Sequence, residues 1–146
     1  MVLESRTWTG RRAEDCAVKF LKSLGHRILA RNWRWRRAEI DVISRFGDTV
    51  VFLEVKARSG CGTDLDSRHW MPSQAQQRRI VRAAHAYLRG CGSVTAACRF
   101  DVVLVRPDVT PVTVIRHVEG AFDACLPHPP RPGARTRNLR RTFAPP

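Results

Sequence analysis

The sequence has few lysines, few acidic residues and no long apolar run. Lysine accounts for three of the 26 basic residues, and only 13 acidic residues oppose them, which leaves a formal net charge of +13. No stretch is long and apolar enough to span a membrane, and no apolar signal core is present near the first residue, so we expect a cytoplasmic protein without a membrane partner. The charge instead favours a polyanionic partner, of which nucleic acid is the commonest.

The spacing of cysteine and histidine argues against zinc and against a disulfide framework. The five cysteines are odd in number and include no CxxC pair, and the five histidines form no HExxH motif. A zinc site needs paired ligands at such short spacings. We therefore expect free thiols, as in proteins of a reducing compartment.

Apolar periodicity predicts a single α/β domain followed by a tail. The helices are predicted at 11–24 and 74–88, after a polar lead-in over 1–10. The strands are predicted at 26–32, 38–44, 49–57, 99–105 and 112–118, and 59–73 is predicted as a loop. Residues 127–146 contain six prolines and five arginines but no acid, which predicts a disordered basic tail after a folded domain over 1–126.

The segments 39–41 and 54–56 place charged residues in otherwise apolar strands. Each carries charges at i and i+2, which a strand directs to one face. Charges beside a core are unfavourable unless they are paired or hold a metal. Asp41 and Glu54 are therefore candidate ligands of Mg²⁺ or Mn²⁺, and Lys56 is a candidate to position water or stabilise developing charge. The alternative is that Glu54 and Lys56 pair with each other or across strands.

Strand alternation sorts these residues by face. Glu39, Asp41 and Ile43 are predicted on one face, with Ile40 and Val42 on the other. In the third strand, the even-numbered residues from 50 to 56 share a face. Of the two acids that share a face in the second strand, we expect Asp41 in the site and Glu39 in an ordinary ion pair.

Two further acids each allow two interpretations. Glu14 lies at the edge of the apolar stripe of the first helix, where it serves either the helix dipole or a site on the sheet. Asp101 lies near the start of the fourth strand, where it either supports the site or pairs with Arg99 or caps the strand. For Asp101 we favour the structural role.

A basic and aromatic segment precedes the strand that contains Asp41. Arginine contacts phosphate, and tryptophan stacks on unpaired or distorted bases, so this segment is predicted to bind nucleic acid. The alternative is one core tryptophan and a solvated basic hairpin. The predicted nucleic-acid contacts are Arg31, Trp33, Arg34, Trp35, Arg36, Arg37, Arg58, Arg78 and Arg79.

The order of these residues resembles the motif set of a known nuclease superfamily. Glu14, then Asp41, then the segment 54–56 is similar to the PD-(D/E)xK pattern, especially as found in archaeal Holliday-junction resolvases. More closely, the chain resembles the YraN-like family of bacterial proteins, which are described as predicted endonucleases. The segments that carry this resemblance are 10–17, 28–32, 39–43, 51–58, 99–103 and 117–122.

The resemblance implies a restriction-endonuclease-like fold, in which helices flank a mixed β-sheet. It implies Mg²⁺ or Mn²⁺ at Asp41 and Glu54, with Glu14 contributing directly or through water and Lys56 as the catalytic lysine. The implied activity is that of a metal-dependent endonuclease acting on DNA, with branched or damaged DNA as one substrate class and RNA as an alternative partner. Resolvase-like enzymes commonly act as dimers on symmetric substrates, so a homodimer is one option.

Three positions depart from the family pattern. Ala13 and Ala38 stand where glycine is usual, and both are small. Gln76 stands where the second helix usually carries a lysine, and Arg78 or Arg79 offers a substitute for the missing charge. Gln76 therefore keeps a second interpretation open, a catalytically inactive nucleic-acid-binding protein that retains the fold.

Overall fold

The computed structural model describes residues 2–59 and 68–124, so the predicted tail and most of the predicted loop over 59–73 lie outside the described residues. Five strands, two α-helices and one short 3₁₀ helix make up this part of the chain. In order they are α1 (Val2–Ser23), β1 (Arg27–Trp35), β2 (Ala38–Phe46), β3 (Thr49–Ala57), the 3₁₀ helix Arg68–Trp70, α2 (Gln74–Gly90), β4 (Cys98–Arg106) and β5 (Thr113–Phe122). Neither α-helix in the described ranges is long and apolar enough to cross a membrane.

The strands form one mixed sheet in the order β1-β2-β3-β4-β5. The pairs β1–β2, β2–β3 and β4–β5 are antiparallel, and β3–β4 is parallel. A parallel pair needs a crossover connection, and the chain between β3 and β4 contains α2. The prediction of a restriction-endonuclease-like α/β fold, a mixed sheet flanked by helices, is confirmed.

Each helix covers one face of the sheet. Residues of α2 such as Ile80 and Ala84 pack against Val50 and Phe52 of β3. Residues of α1 such as Leu21 pack against the opposite face of the same strand, where Leu53 points. β3 is therefore buried on both sides, which explains its nearly continuous apolar run, and the predicted division of its residues between the faces is confirmed.

The helix α2 begins where a side chain can cap it. The Ser73 hydroxyl accepts a hydrogen bond from the Gln76 N–H at 3.2 Å, which satisfies one of the backbone donors left free in the first turn. This cap holds the start of α2 at Gln74, as predicted. It also fixes the position of Gln76 in the first turn.

The prediction of a polar lead-in over 1–10 is wrong, because α1 already begins at Val2. Once a helix has nucleated, each added residue contributes a hydrogen bond, so the helix extends until a residue stops it. No proline interrupts residues 2–10, and the Arg12 guanidinium lies 4.5 Å from the centre of the Trp8 ring, one turn away. The first half of the helix was therefore not predicted, because its apolar residues show too weak a helical periodicity.

The predicted alternation of β2 is also wrong at one point. Ile40 and Ile43 both pack on the α2 side, although their odd spacing of three positions predicts opposite faces, whereas Val42 packs on the α1 side. The pairing of β2 with β3 ends at Val42 and Leu53, and residues 38–40 pair only with β1. The two strands therefore diverge at residue 41, where a side chain rather than the backbone connects them by a hydrogen bond.

Candidate active site

The candidate active site lies where β2 and β3 diverge. The Val55 N–H donates a hydrogen bond to Oδ2 of Asp41 at 2.7 Å, so the Asp41 carboxylate replaces the backbone carbonyl of a regular ladder. This bond directs Asp41 toward the end of β3 that carries Glu54 and Lys56. The structure thus brings together the three residues that the two charged segments singled out.

Asp41 lies in an environment that disfavours its ionised form. Burial, together with the negative charge of Glu54 and a smaller effect of Glu14, raises the pKa of Asp41 from its ordinary 3.8 to about 7. The Val55 N–H and the charge of Lys56 act in the opposite direction without cancelling this effect. Two carboxyl groups this close to each other form a site that favours a cation.

Glu54 is buried and hydrogen-bonded to two donors. Its Oε1 atom accepts from Lys56 Nζ at 2.8 Å and from Gln76 Nε2 at 2.8 Å. Lys56 Nζ also lies 3.5 Å from Gln76 Oε1, which closes a small network of three side chains. The alternative in which Glu54 and Lys56 pair with each other therefore describes the contact correctly. It does not account for Asp41, which lies beside Glu54 and forms no ion pair among the described residues.

The residue Glu39 does not belong to this site. It is exposed and pairs with Arg34 across β1 and β2, with a shortest distance of 3.3 Å between Arg34 Nη2 and a Glu39 carboxylate oxygen. The expectation that Glu39 forms an ordinary ion pair is confirmed, and the assignment of Asp41 to the site stays a prediction.

Glu14 lies in the middle of α1, twelve residues after its first residue. The helix dipole acts on groups in the first turn, so the dipole interpretation of Glu14 does not hold. Its negative charge contributes to the raised pKa of Asp41, which indicates that the half-buried side chain lies on the sheet side of α1. Glu14 therefore adds a third acid to the surroundings of Asp41.

These residues fit a hard divalent cation that keeps part of its water shell. Within residues 2–59 and 68–124, no group of three or more His, Cys, Asp or Glu has the geometry of a ready-made metal site. Mg²⁺ is usually held by one or two carboxylates and retains several waters. Asp41 and Glu54 supply such a pair, and a contribution from Glu14 through water suits the same ion.

Gln76 touches the centre of the site. Its side chain donates to Glu54, and its position in the first turn of α2 is fixed by the Ser73 cap. A lysine at this position would place a second ammonium group beside Glu54 and Lys56. Gln76 therefore leaves the site with one positive charge fewer than a lysine at this position would give it.

Asp101 lies apart from this site and has a structural role. Its fully buried carboxylate accepts two hydrogen bonds from Arg99, at 2.8 and 2.9 Å, one from the Gly120 N–H at 3.0 Å, and lies 2.9 Å from His117 Nε2. Burial alone would raise the pKa of Asp101, but the bonds from His117, Arg99 and Gly120 hold it below its ordinary value. The predicted pairing with Arg99 is confirmed, and the cluster ties β4 to β5.

The basic and aromatic segment lies in β1 and in the turn that follows it. Trp33 and Trp35 are both half-buried against the core beneath α2, and the Trp33 ring meets the Tyr87 ring edge to face at 5.4 Å. Arg31 pairs with Asp15 of α1 at 2.6 Å. With Arg34 already paired to an acid of β2, the first half of the segment is partly neutralised, and both tryptophans contribute to packing.

The unpaired basic residues of this segment lie at its turn and face α2. Arg36 and Arg37 are exposed between β1 and β2, and Arg79 of α2 lies across from them with Arg82. Sequence reasoning did not single out Arg82. Its spacing of three residues from Arg79 was the available signal, since residues three apart are neighbours on a helix surface.

The remaining predicted contacts are less concentrated. Arg58 is exposed just after β3, and its guanidinium donates to the His69 carbonyl at 3.4 Å. Arg78 is half-buried on α2. Neither has a described contact with Glu54 or Lys56 that would replace the charge missing at Gln76.

Comparison with known sequences assigns the chain to a family. The sequence profile described as "Uncharacterised protein family UPF0102" matches residues 13–105, which include the site residues Glu14, Asp41, Glu54 and Lys56. The chain belongs to the UPF0102 family. This confirms the YraN-like resemblance, and a nuclease-superfamily fold is consistent with it.

Other UPF0102 proteins match over most of their length. A UPF0102 protein of Nitratidesulfovibrio vulgaris strain DP4 is 40% identical over 122 residues, covering 84% of this chain and 89% of the relative. Those of Symbiobacterium thermophilum and Desulfosudis oleivorans are 41% identical over 119 residues and 40% identical over 125 residues. These matches cover 79% and 86% of this chain, and 96% and 98% of the two relatives.

Proposed function

We propose that this UPF0102 protein is a Mg²⁺-dependent endonuclease that hydrolyses DNA phosphodiesters, with branched or damaged DNA as its substrate class. The observation that carries this proposal is the pair of Asp41 and Glu54 at the divergence of β2 and β3, where the pKa of Asp41 is raised to about 7. A buried and a half-buried carboxyl group close together are unfavourable for a fold unless a cation joins them. The net charge of +13 supports a polyanionic substrate.

Each residue of the site has a role in this reaction. When bound, Mg²⁺ neutralises phosphate charge and lowers the pKa of a bound water. Asp41 and Glu54 hold the ion, and Glu14 acts on it directly or through water. Lys56 Nζ, already beside Glu54 Oε1, donates to the attacking water or to the phosphate oxygen on which charge develops.

A second candidate function rests on the closed network of Glu54, Lys56 and Gln76. Gln76 occupies one carboxylate oxygen of Glu54 without adding the charge that lysine would bring. This favours a protein that binds nucleic acid with the same fold but does not cut it. Such a protein binds DNA in a salt-dependent manner, and neither chelator nor Glu54→Gln changes its affinity.

Cleavage of a panel of DNA substrates separates the two functions. Linear, single-stranded, flapped and four-way DNA are incubated with Mg²⁺ or Mn²⁺ and the parent chain, Asp41→Ala or Glu39→Gln. Glu39→Gln is the matched control, because it removes an exposed acid two residues from Asp41. If the nuclease proposal is right, the parent and the control both cut DNA, and chelator abolishes this cleavage. Asp41→Ala then cuts at least a hundredfold more slowly. Cleavage that Asp41→Ala leaves unchanged would refute it.

A further inference from the structure

A cavity of about 400 Å³ lies between the β1–β2 turn and the outer surface of α2. We name it the arginine cavity. Its size is within the range of sites that hold a small ligand. It is lined by Trp35, Arg36, Arg37, Ala38, Arg79 and Arg82.

The charge of the arginine cavity is of one sign. Four of its six lining residues are arginines, and none is acidic. Among the described residues, no carboxylate forms an ion pair with these four arginines, whereas Arg31, Arg34, Arg99 and Arg106 each have an acidic partner. Four guanidinium groups held near each other without an anion form a site for phosphate.

Arg36 lies in the two-residue turn that joins β1 to β2. Its φ of +55° lies in the left-handed region, which two-residue hairpin turns commonly require. The turn therefore holds the Arg36 side chain at the tip of the hairpin. Here the Arg36 guanidinium lies 4.7 Å from the centre of the Trp35 ring, at the edge of the cavity.

The cavity also offers surfaces for a flat ring. Trp35 and Ala38 form its apolar wall, and Trp35 is only half-buried. An extrahelical base stacks on a tryptophan ring or on the plane of a guanidinium, and the Arg36 guanidinium over the Trp35 ring presents such a plane. A base in a regular duplex is stacked between its neighbours and cannot enter such a cavity. The lining therefore matches one unpaired nucleotide, with its base on the apolar wall and its phosphates among the arginines.

The arginine cavity lies next to the candidate active site on two elements. On α2, Arg79 and Arg82 follow Gln76 by three and six residues, which is about 4.5 and 9 Å along the helix axis. On β2, Ala38 precedes Asp41 by three residues, or about 10 Å along the strand. A few nucleotides of one DNA strand span such distances, since each adds about 3.4 Å even when fully stacked.

We infer that the arginine cavity binds an unpaired nucleotide of the DNA strand that is cut, and so selects DNA with a single-stranded arm or branch near the scissile phosphate. This inference rests on the proposed function and adds the substrate feature that the protein recognises. The arginines hold phosphates on one side of the scissile bond, and Asp41 and Glu54 would hold the cation at a phosphate a few nucleotides further along the strand.

Binding without cleavage tests the inference. Fluorescence anisotropy in chelator compares a blunt DNA duplex with the same duplex carrying a single-stranded arm. The cavity variant is Arg79→Ala with Arg82→Ala. The matched control is Arg27→Ala with Arg45→Ala, which removes the same amount of charge. These two arginines are exposed and lie opposite each other at the other end of the β1–β2 ladder.

The parent is expected to bind the armed duplex about tenfold more tightly than the blunt one. The cavity variant loses this preference, whereas the control keeps it and loses affinity equally for both DNAs. When the arm contains 2-aminopurine, binding of the parent changes the fluorescence of this base, whereas binding of Trp35→Leu does not. No preference in the parent, or an equal preference in the cavity variant, overturns the inference.

Cleavage by the same proteins separates this inference from the proposed function. A parent that prefers the armed duplex through the cavity but cuts nothing with Mg²⁺ refutes the nuclease and supports the cavity assignment. A parent that cuts DNA through Asp41 yet shows no cavity-dependent preference refutes the cavity assignment alone.

Discussion

Replacing Asp41 with asparagine is expected to stabilise the chain at neutral and higher pH when no divalent cation is present. Burial and the charge of Glu54 raise the pKa of Asp41 from its ordinary 3.8 to about 7. Between these two values the native state keeps a proton that the unfolded chain has lost. The free energy of unfolding therefore falls as the pH rises through this range.

The magnitude follows from the size of the pKa shift. The difference between 3.8 and about 7 corresponds to about 4 kcal/mol at about 1.36 kcal/mol per pKa unit. Water at this half-buried position reduces the expected effect to about 1–3 kcal/mol. Asparagine does not ionise, and its Oδ1 can still accept the Val55 N–H. The free energy of unfolding of Asp41→Asn is therefore expected to exceed that of the parent by this amount at pH values above the pKa of Asp41. At pH values below the ordinary pKa of aspartate, the two proteins are expected to be equally stable.

Urea denaturation over a series of pH values in chelator measures this difference. Glu39→Gln is the control, because Glu39 is exposed. The difference in free energy of unfolding between this variant and the parent should not show the same pH dependence. Adding Mg²⁺ should stabilise the parent more than Asp41→Asn, since the cation favours the ionised carboxylate. Parallel stability curves for the parent and Asp41→Asn across the whole series would refute the reasoning.

Three further predictions concern other parts of the chain. Gln76→Lys adds a second positive charge beside Glu54 and should speed Mg²⁺-dependent cleavage about tenfold in initial-rate measurements; no change would show that the charge is not needed. Asp101→Asn deprives Arg99 and His117 of their shared anion and should lower the free energy of unfolding by about 3–5 kcal/mol in urea, and a loss below about 1 kcal/mol would contradict this. Arg36→Gly relieves the positive φ, so it should keep thermal stability within about 1 kcal/mol of the parent while weakening binding to armed DNA. A destabilised but fully binding variant would oppose a role for the Arg36 side chain.

Regular parts of the fold could be predicted because local patterns determine them. The bounds of β3 were predicted without error, since a nearly continuous apolar run marks a strand that is covered on both faces. The start of α2 was predicted from apolar periodicity, and the structure shows that Ser73 caps the helix there. The start of α1 was missed, because the sequence of residues 2–10 has no local feature that distinguishes a helix from a polar loop.

The candidate site was predictable in its members but not in its geometry. Charges spaced by two residues in apolar strands identified Asp41, Glu54 and Lys56. The divergence of β2 from β3 was not predictable, because it depends on the bond from the Val55 N–H to the Asp41 carboxylate, which alternation along one strand cannot reveal. The grouping of Arg79 and Arg82 with the β1–β2 turn likewise depends on how α2 packs across the sheet.

Diffraction from crystals soaked in Mn²⁺ tests the central claim, a cation site formed by Asp41 and Glu54, most directly. Anomalous scattering locates the ion independently of any reaction. We predict a manganese peak between the Asp41 and Glu54 carboxylates in the parent, and no peak there in Asp41→Asn. Crystals of the parent with ordered side chains at both residues and no anomalous peak between them would contradict the claim.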